Sequence, residues 1–147
     1  MKKIFLSLSL MLTVGLTTAL ANDELNVSKQ VRQSFKKEFA GAQLVKWDDL
    51  GQYLKATFVL GGHRAEAYFN TDGELEGCIR DLFYDQLPLA VMTSLDKRFA
   101  EAAILDVREI TNTEGTAYRV TLEMQNKRYR VKTDPGGNIT EAEKIKK

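Results

Sequence analysis

The sequence predicts an α+β protein built from two tandem units, each a helix followed by four antiparallel strands, with the helices covering one face of the sheet. Three observations lead there. A helix-spaced apolar triplet occurs twice, as Val31, Phe35 and Phe39 and then, sixty residues on, as Val91, Leu95 and Phe99. Strand-like alternation follows each triplet: Leu54-x-Ala56-x-Phe58 matches Tyr118-x-Val120-x-Leu122, and Ala67-x-Phe69 matches Tyr129-x-Val131. Glycine-rich turn pairs separate the alternating runs, and the offsets between the copies change only at those turns.

The first helix is expected over about Val27–Phe39, with Gly41 as its stop because glycine accepts the left-handed cap. Strands follow near Leu44–Asp48, Tyr53–Leu60, His63–Asn70 and Glu74–Leu82. Gly61-Gly62 and Asp72-Gly73 supply the hairpin turns, since they tolerate positive φ. In the second unit Pro88 marks the helix start, where no amide hydrogen is needed. Its strands fall near Ile104–Ile110, Ala117–Gln125, Arg128–Thr133 and Asn138–Ile145, with a turn at Asp134-Pro135-Gly136-Gly137 and a loop over Thr111–Thr116. The repeats then occupy residues 26–86 and 87–147. No linker rich in Pro, Gly or Ser separates them, so the units should be tightly coupled and could join edge to edge.

Residues 1–21 read as a cleaved secretory signal, because Lys2 and Lys3 precede the apolar run Ile4–Leu16 and Ala19-Leu20-Ala21 places the cut before Asn22. The apolar run is shorter than the roughly 20 residues a spanning helix needs, so no membrane anchor is expected after cleavage. The protein is then periplasmic or secreted. Without Lys2 and Lys3, nineteen basic residues face 20 acidic ones, a net charge of −1 that argues against a nucleic-acid partner. With Cys78 alone, no internal disulfide forms, and the core must hold the fold.

No catalytic constellation stands out. His63 is the only histidine and sits at a hairpin, with no evident partner for acid–base work. Zinc needs several His or Cys ligands, and the chain has one of each. Asp72, Glu74 and Glu76 lack the spacing of a twelve-residue calcium loop, and a hairpin explains Asp72-Gly73. No catalytic, metal-binding or cofactor-binding residue is assigned, and no cofactor is expected. Trp47, matched with Val107 and on the face of Val45 and Leu105, is expected in the core.

The alternation leaves the other face polar. Lys46, Asp48, Tyr68, Arg108, Arg119, Glu123, Arg128 and Arg130 are the candidate contacts for a protein partner, since Tyr and Arg carry much of the energy of many interfaces. The expected function is an exported, non-catalytic binding protein. A small-ligand or cation-binding envelope protein, using the carboxylates of Asp72, Glu74 and Glu76, is the alternative.

The run Phe35-x3-Phe39, Val45-x-Trp47, Leu54-x-Ala56-x-Phe58, Ala67-x-Phe69-x2-Asp72-Gly73 and Leu87-Pro88 resembles the PepSY-like family, also described as similar to β-lactamase-inhibitor (BLIP-like) proteins. The likeness spans the whole chain after residue 21, although Leu54 stands where the family pattern has an aromatic. The resemblance implies a tandem helix-plus-four-strand architecture outside the cytoplasm. It also implies inhibition or regulation of an extracytoplasmic enzyme, such as a peptidase or a β-lactamase, and it brings no catalytic residues.

Overall fold

The computed structural model describes residues 25–146. The segment read as an export signal, residues 1–21, lies outside them. Helix α1 (Lys29–Glu38) leads into β1 (Gln43–Asp49), β2 (Leu54–Leu60), β3 (His63–Phe69) and β4 (Leu75–Asp81). A short 3-10 turn (Tyr84–Gln86) precedes α2 (Leu89–Arg98), and β5 (Ala103–Asn112), β6 (Gly115–Met124), β7 (Lys127–Thr133) and β8 (Ile139–Ile145) complete the chain.

The eight strands form one antiparallel sheet in chain order, β1 to β8. This corrects the fold class read from the sequence, two four-stranded α+β units. β4 and β5 pair directly, Gly77 with Asn112 through Asp81 with Arg108, so the halves share one ladder. Strand makes up 51% of the structure and helix 19%, which makes the protein mainly β with two short helices. Internal similarity can show which strands belong to each copy. It carries no information on whether the last strand of one copy pairs with the first of the next.

Both helices lie on the same side of the sheet. Val31 and Phe35 of α1 sit on Ala56, Phe58, Ala65, Ala67 and Phe69. Val91 and Leu95 of α2 sit on Val107, Tyr118, Val120, Leu122 and Val131. The in-register path Ala67–Cys78–Thr111, with Val107 four residues before Thr111, puts the two clusters on one face. Three alanines under α1 leave room for rings: the Phe35 ring lies 5.0 Å from that of Phe58 and 5.3 Å from Trp47, at edge-on angles that favour aromatic pairs. The second core is chiefly aliphatic.

Local chemistry fixes the ends of the helices. Ser28 Oγ accepts from the Val31 amide at 3.3 Å and caps α1. Gly41 follows α1 at φ 86°, and Pro88 stands immediately before α2. Each helix also rests on a glycine turn of its own unit. Gln30 of α1 donates to the Asp72 carbonyl beside Gly73, and Gly137 packs against Ala90 of α2.

Three expectations need correction. The segment Thr111–Thr116 is no loop: the strands run on until Asn112 pairs with Gly115. Val45 and Leu105, expected in the core, are 40% and 47% exposed, because each stands beside an irregularity at the start of its strand. Trp47 is half-buried at the rim of the first core rather than inside it.

A Cβ on Gly137 would lie 2.3 Å from the Ala90 carbonyl oxygen, at φ 85°. Gly137→Ala should therefore lower unfolding free energy in urea by roughly 2 kcal/mol or more. Gly61→Ala, at φ 58° with nothing near, should lose only the backbone term of roughly 1 kcal/mol. Equal losses would show that the α2 contact is unimportant. Trp47→Ala should cost about 2 kcal/mol, in keeping with partial burial, rather than the roughly 3–5 of a fully buried aromatic.

Candidate functional site

With both helices on one side, the other face of the sheet is open. Register assigns its residues, because side chains alternate along each strand and paired residues share a face. One row runs Lys46, Thr57, Glu66, Ile79, Ile110, Ala117 across six strands. The next runs Asp48, Lys55, Tyr68, Gly77, Asn112. On the far side Arg108, Arg119 and Lys132 share a row, followed by Thr121 with Arg130 and Glu123 with Arg128. All eight residues proposed from the sequence therefore lie on this single face.

The sequence reading missed the middle of the face. Ile79 and Ile110 are paired at the β4–β5 seam, flanked by Ala117, by Gly77, which has no side chain, and by Tyr68. All five are half-buried. A signal for Ile110 was present, since it lies two residues beyond Arg108 and shares its face. Ile79 could be placed only once the pairing of β3 with β4 was known.

Ion pairs surround this apolar centre. Asp48 lies 3.2 Å from Lys46 and 3.3 Å from Lys55, and hydrogen bonds from those two ammonium groups hold its carboxyl below the usual carboxylate range. Arg108 lies between Asp81 and Asp106, with Nε 3.3 and 3.2 Å from their oxygens. Arg128 pairs with Glu123 at 3.3 Å and Arg130 with Glu143 at 3.0 Å. Tyr68 donates to Glu66 Oε2 at 2.9 Å, while Arg64 lies 2.6 Å from the other oxygen. Burial, and then the neighbouring Glu66 carboxylate, push the Tyr68 phenol upward, so it stays a neutral donor at physiological pH.

Arg119 differs. It is half-buried between Arg108 and Lys132, and among the described residues it makes no salt bridge. A guanidinium held among other cations presents unused donors to whatever covers the face.

The remaining chemistry-bearing residues are elsewhere. The His63 ring stacks edge-on against Phe83 at 5.3 Å and lies 3.3 Å from the Gln86 amide nitrogen, at the hairpin end of the sheet. Cys78 is half-buried on the helix side, and desolvation raises its thiol pKa, the opposite of what a nucleophile needs. Glu74 and Glu76 both accept from Asn70 Nδ2, at 2.8 and 3.0 Å, so their carboxylates serve the turn. Among the described residues no group of three potential metal ligands is present, and no helix is long and apolar enough to cross a membrane.

No family model matches the chain, and no curated protein matches it. Solved structures do. A BLIP-like protein from Bacteroides fragilis is 23% identical, with a TM-score of 0.74 over 82% of this chain and 88% of that one. A DUF2874 family protein from Bacteroides uniformis is 20% identical, with a TM-score of 0.72 over 80% and 88%. A Bacteroides eggerthii protein with a provisional periplasmic assignment is 21% identical, with a TM-score of 0.73 over 81% and 89%. At these identities the likeness establishes the fold. Of the resemblance read from the sequence, it bears out the coarser part, a BLIP-like fold, and does not extend to the PepSY-like family itself.

Arg119→Ala should shift unfolding free energy by less than about 0.5 kcal/mol, since no partner is lost. Arg108→Ala leaves Asp81 and Asp106 facing each other and should cost roughly 1 kcal/mol. Denaturant melts decide the point. An Arg119 loss as large as that of Arg108 would make Arg119 a structural residue.

Proposed function

We propose that this chain is an exported, non-catalytic binding module whose open sheet face docks on another extracytoplasmic protein and regulates or inhibits it, with an enzyme such as a peptidase or β-lactamase as the expected target class. The observation that carries the reading is the layout of the open face. Ile79, Ile110, Ala117 and Tyr68 form an apolar centre, charged pairs form its rim, and Arg119 stands beside it with no carboxylate partner among the described residues. Stable protein interfaces have this anatomy, a desolvated middle inside a polar ring. Tyr and Arg are the side chains most often found to dominate binding. A face eight strands wide is ample for the roughly 800 Å² per partner of a standard complex.

Export is supported by the order of charge, apolar run and small residues over 1–21. The provisional periplasmic assignment of a protein with the same fold points the same way. Inhibition is supported by the resemblance alone.

The test is affinity capture from the host's extracytoplasmic fraction using Asn22–Lys147, alongside two variants, Arg119→Glu with Arg130→Glu, and Ile110→Asp. One protein retained by the parent should fall by about tenfold or more with either variant, as interface charges and anchors do. A partner retained equally by all three would place the binding surface elsewhere and sink this reading.

A further inference from the structure

The two halves provide an internal comparison between two places at matching sequence offsets, one covered and one, among the described residues, uncovered. In the second half, the edge of β5 is covered by the end of β4 and the strap that follows it. The Leu82 amide donates to the Val107 carbonyl at 2.9 Å, and Leu82 and Tyr84 pack against the second core. The Tyr84 hydroxyl donates to Asp96 Oδ1 at 2.6 Å and lies 3.3 Å from the Met92 carbonyl oxygen, so the strap is fastened to α2. Burial, aided by the Asp96 carboxylate, pushes that phenol up to about 12.

In the first half, Trp47 stands for Val107, and Arg32 and Lys36 of α1 stand for Met92 and Asp96, all sixty residues earlier. Here, among the described residues, no strand flanks β1, which ends the sheet. A groove of about 310 Å³ remains between α1 and β1, with Phe35, Phe39, Val45 and Trp47 as its floor and Arg32 and Lys36 on its rim. Neither rim cation makes a salt bridge among the described residues. Arg32 Nε donates to the Val27 carbonyl at 3.1 Å, which holds the guanidinium in place. An edge strand beside an apolar groove favours an added strand, which supplies backbone hydrogen bonds and side chains for the groove. The positions that receive a tyrosine hydroxyl in the second half are cationic in the first, so they call for a carboxylate.

We propose that the α1–β1 groove and the free edge of β1 bind an extended segment of a partner protein as an added antiparallel strand, with a leucine-sized residue over Trp47 and, two residues later, a glutamate between Arg32 and Lys36. This site is separate from the open face. Leu82 and Tyr84 define its pattern, with the phenol replaced by an acid because the helix positions are basic.

Trp47 is the only tryptophan and reports on the groove directly. The probe is the capped peptide Thr-Ile-Thr-Leu-Thr-Glu, which contains no tryptophan, titrated into Asn22–Lys147. A saturable blue shift of Trp47 emission is expected. Replacing the peptide's Glu by Lys should weaken binding about tenfold or more, and Arg32→Glu with Lys36→Glu should reverse that preference. The reversal guards against misreading a misfolded variant, since an unfolded chain favours neither peptide. Arg119→Glu with Arg130→Glu should leave the titration unchanged, so failure here is distinguishable from failure of the open-face reading. No saturable shift up to about 1 mM peptide, an affinity too weak to matter at ordinary concentrations, overturns the proposal. Equal affinity for the Glu and Lys peptides does the same. Binding that appears only after Asp23→Asn with Glu24→Gln would assign the groove to the chain's own acidic start and would also overturn it.

Discussion

The pairing of β4 with β5 is the constraint on which the rest of this molecule depends. Five residue pairs, Gly77–Asn112 to Asp81–Arg108, join two small helix-backed sheets into one. The seam is held on both faces: Arg80 meets Glu109 at 3.0 Å on the helix side, and Arg108 meets Asp81 on the open side. Gly77 allows the close approach, since a Cβ there would sit 3.2 Å from the Thr111 carbonyl oxygen. Without this ladder, Ile79 and Ile110 would lie on two exposed edges. With it, they form the centre of a single broad surface.

The same seam makes the two halves unequal. β5 gains a neighbour and loses its edge, whereas β1, among the described residues, keeps its own. The two cores differ accordingly. The first, with a half-open flank, is filled by five interacting aromatic rings from Phe35, Phe39, Trp47, Phe58 and Phe69, set above alanines. The second is closed by Leu82 and Tyr84 and packs with branched aliphatic residues. At the other end of the sheet, β8 carries Thr140, Glu141, Glu143 and Lys144 along its exposed length, a charged edge that discourages pairing. β1 is less guarded, with Leu44 85% exposed.

Much of this was legible from residue spacing. The apolar triplets mark Lys29–Glu38 and Leu89–Arg98, and the alternation in β2, β3, β6 and β7 assigns the buried side correctly at Ala56, Phe58, Val120 and Val131. Those elements are long and strictly periodic, so the burial pattern dominates their composition. β1 and β5 were harder, because irregular pairing near Leu44 and Leu105 breaks the period of two where each strand begins. The continuous sheet was hidden for another reason. β4 is half-buried along nearly all its length, and its pattern Leu-Glu-Gly-Cys-Ile-Arg-Asp favours neither face. The eight polar candidates were placed on one face by alternation, whereas the apolar centre between them arises from pairing across the seam.

Strand order that follows chain order has a consequence for how the molecule reaches this state. Six of the seven ladders join strands linked by short turns, so each requires only a small loop to close. The seventh, at the seam, must close around the segment from Leu82 to Ala102, which contains α2. Loop-closure entropy therefore makes the seam the natural last step, with each helix-backed half condensing from near contacts before the two zip together. A chain arrested before that step would expose two unpaired strand edges rather than a disordered coil. Its hazard would be pairing with another such chain at β4 or β5.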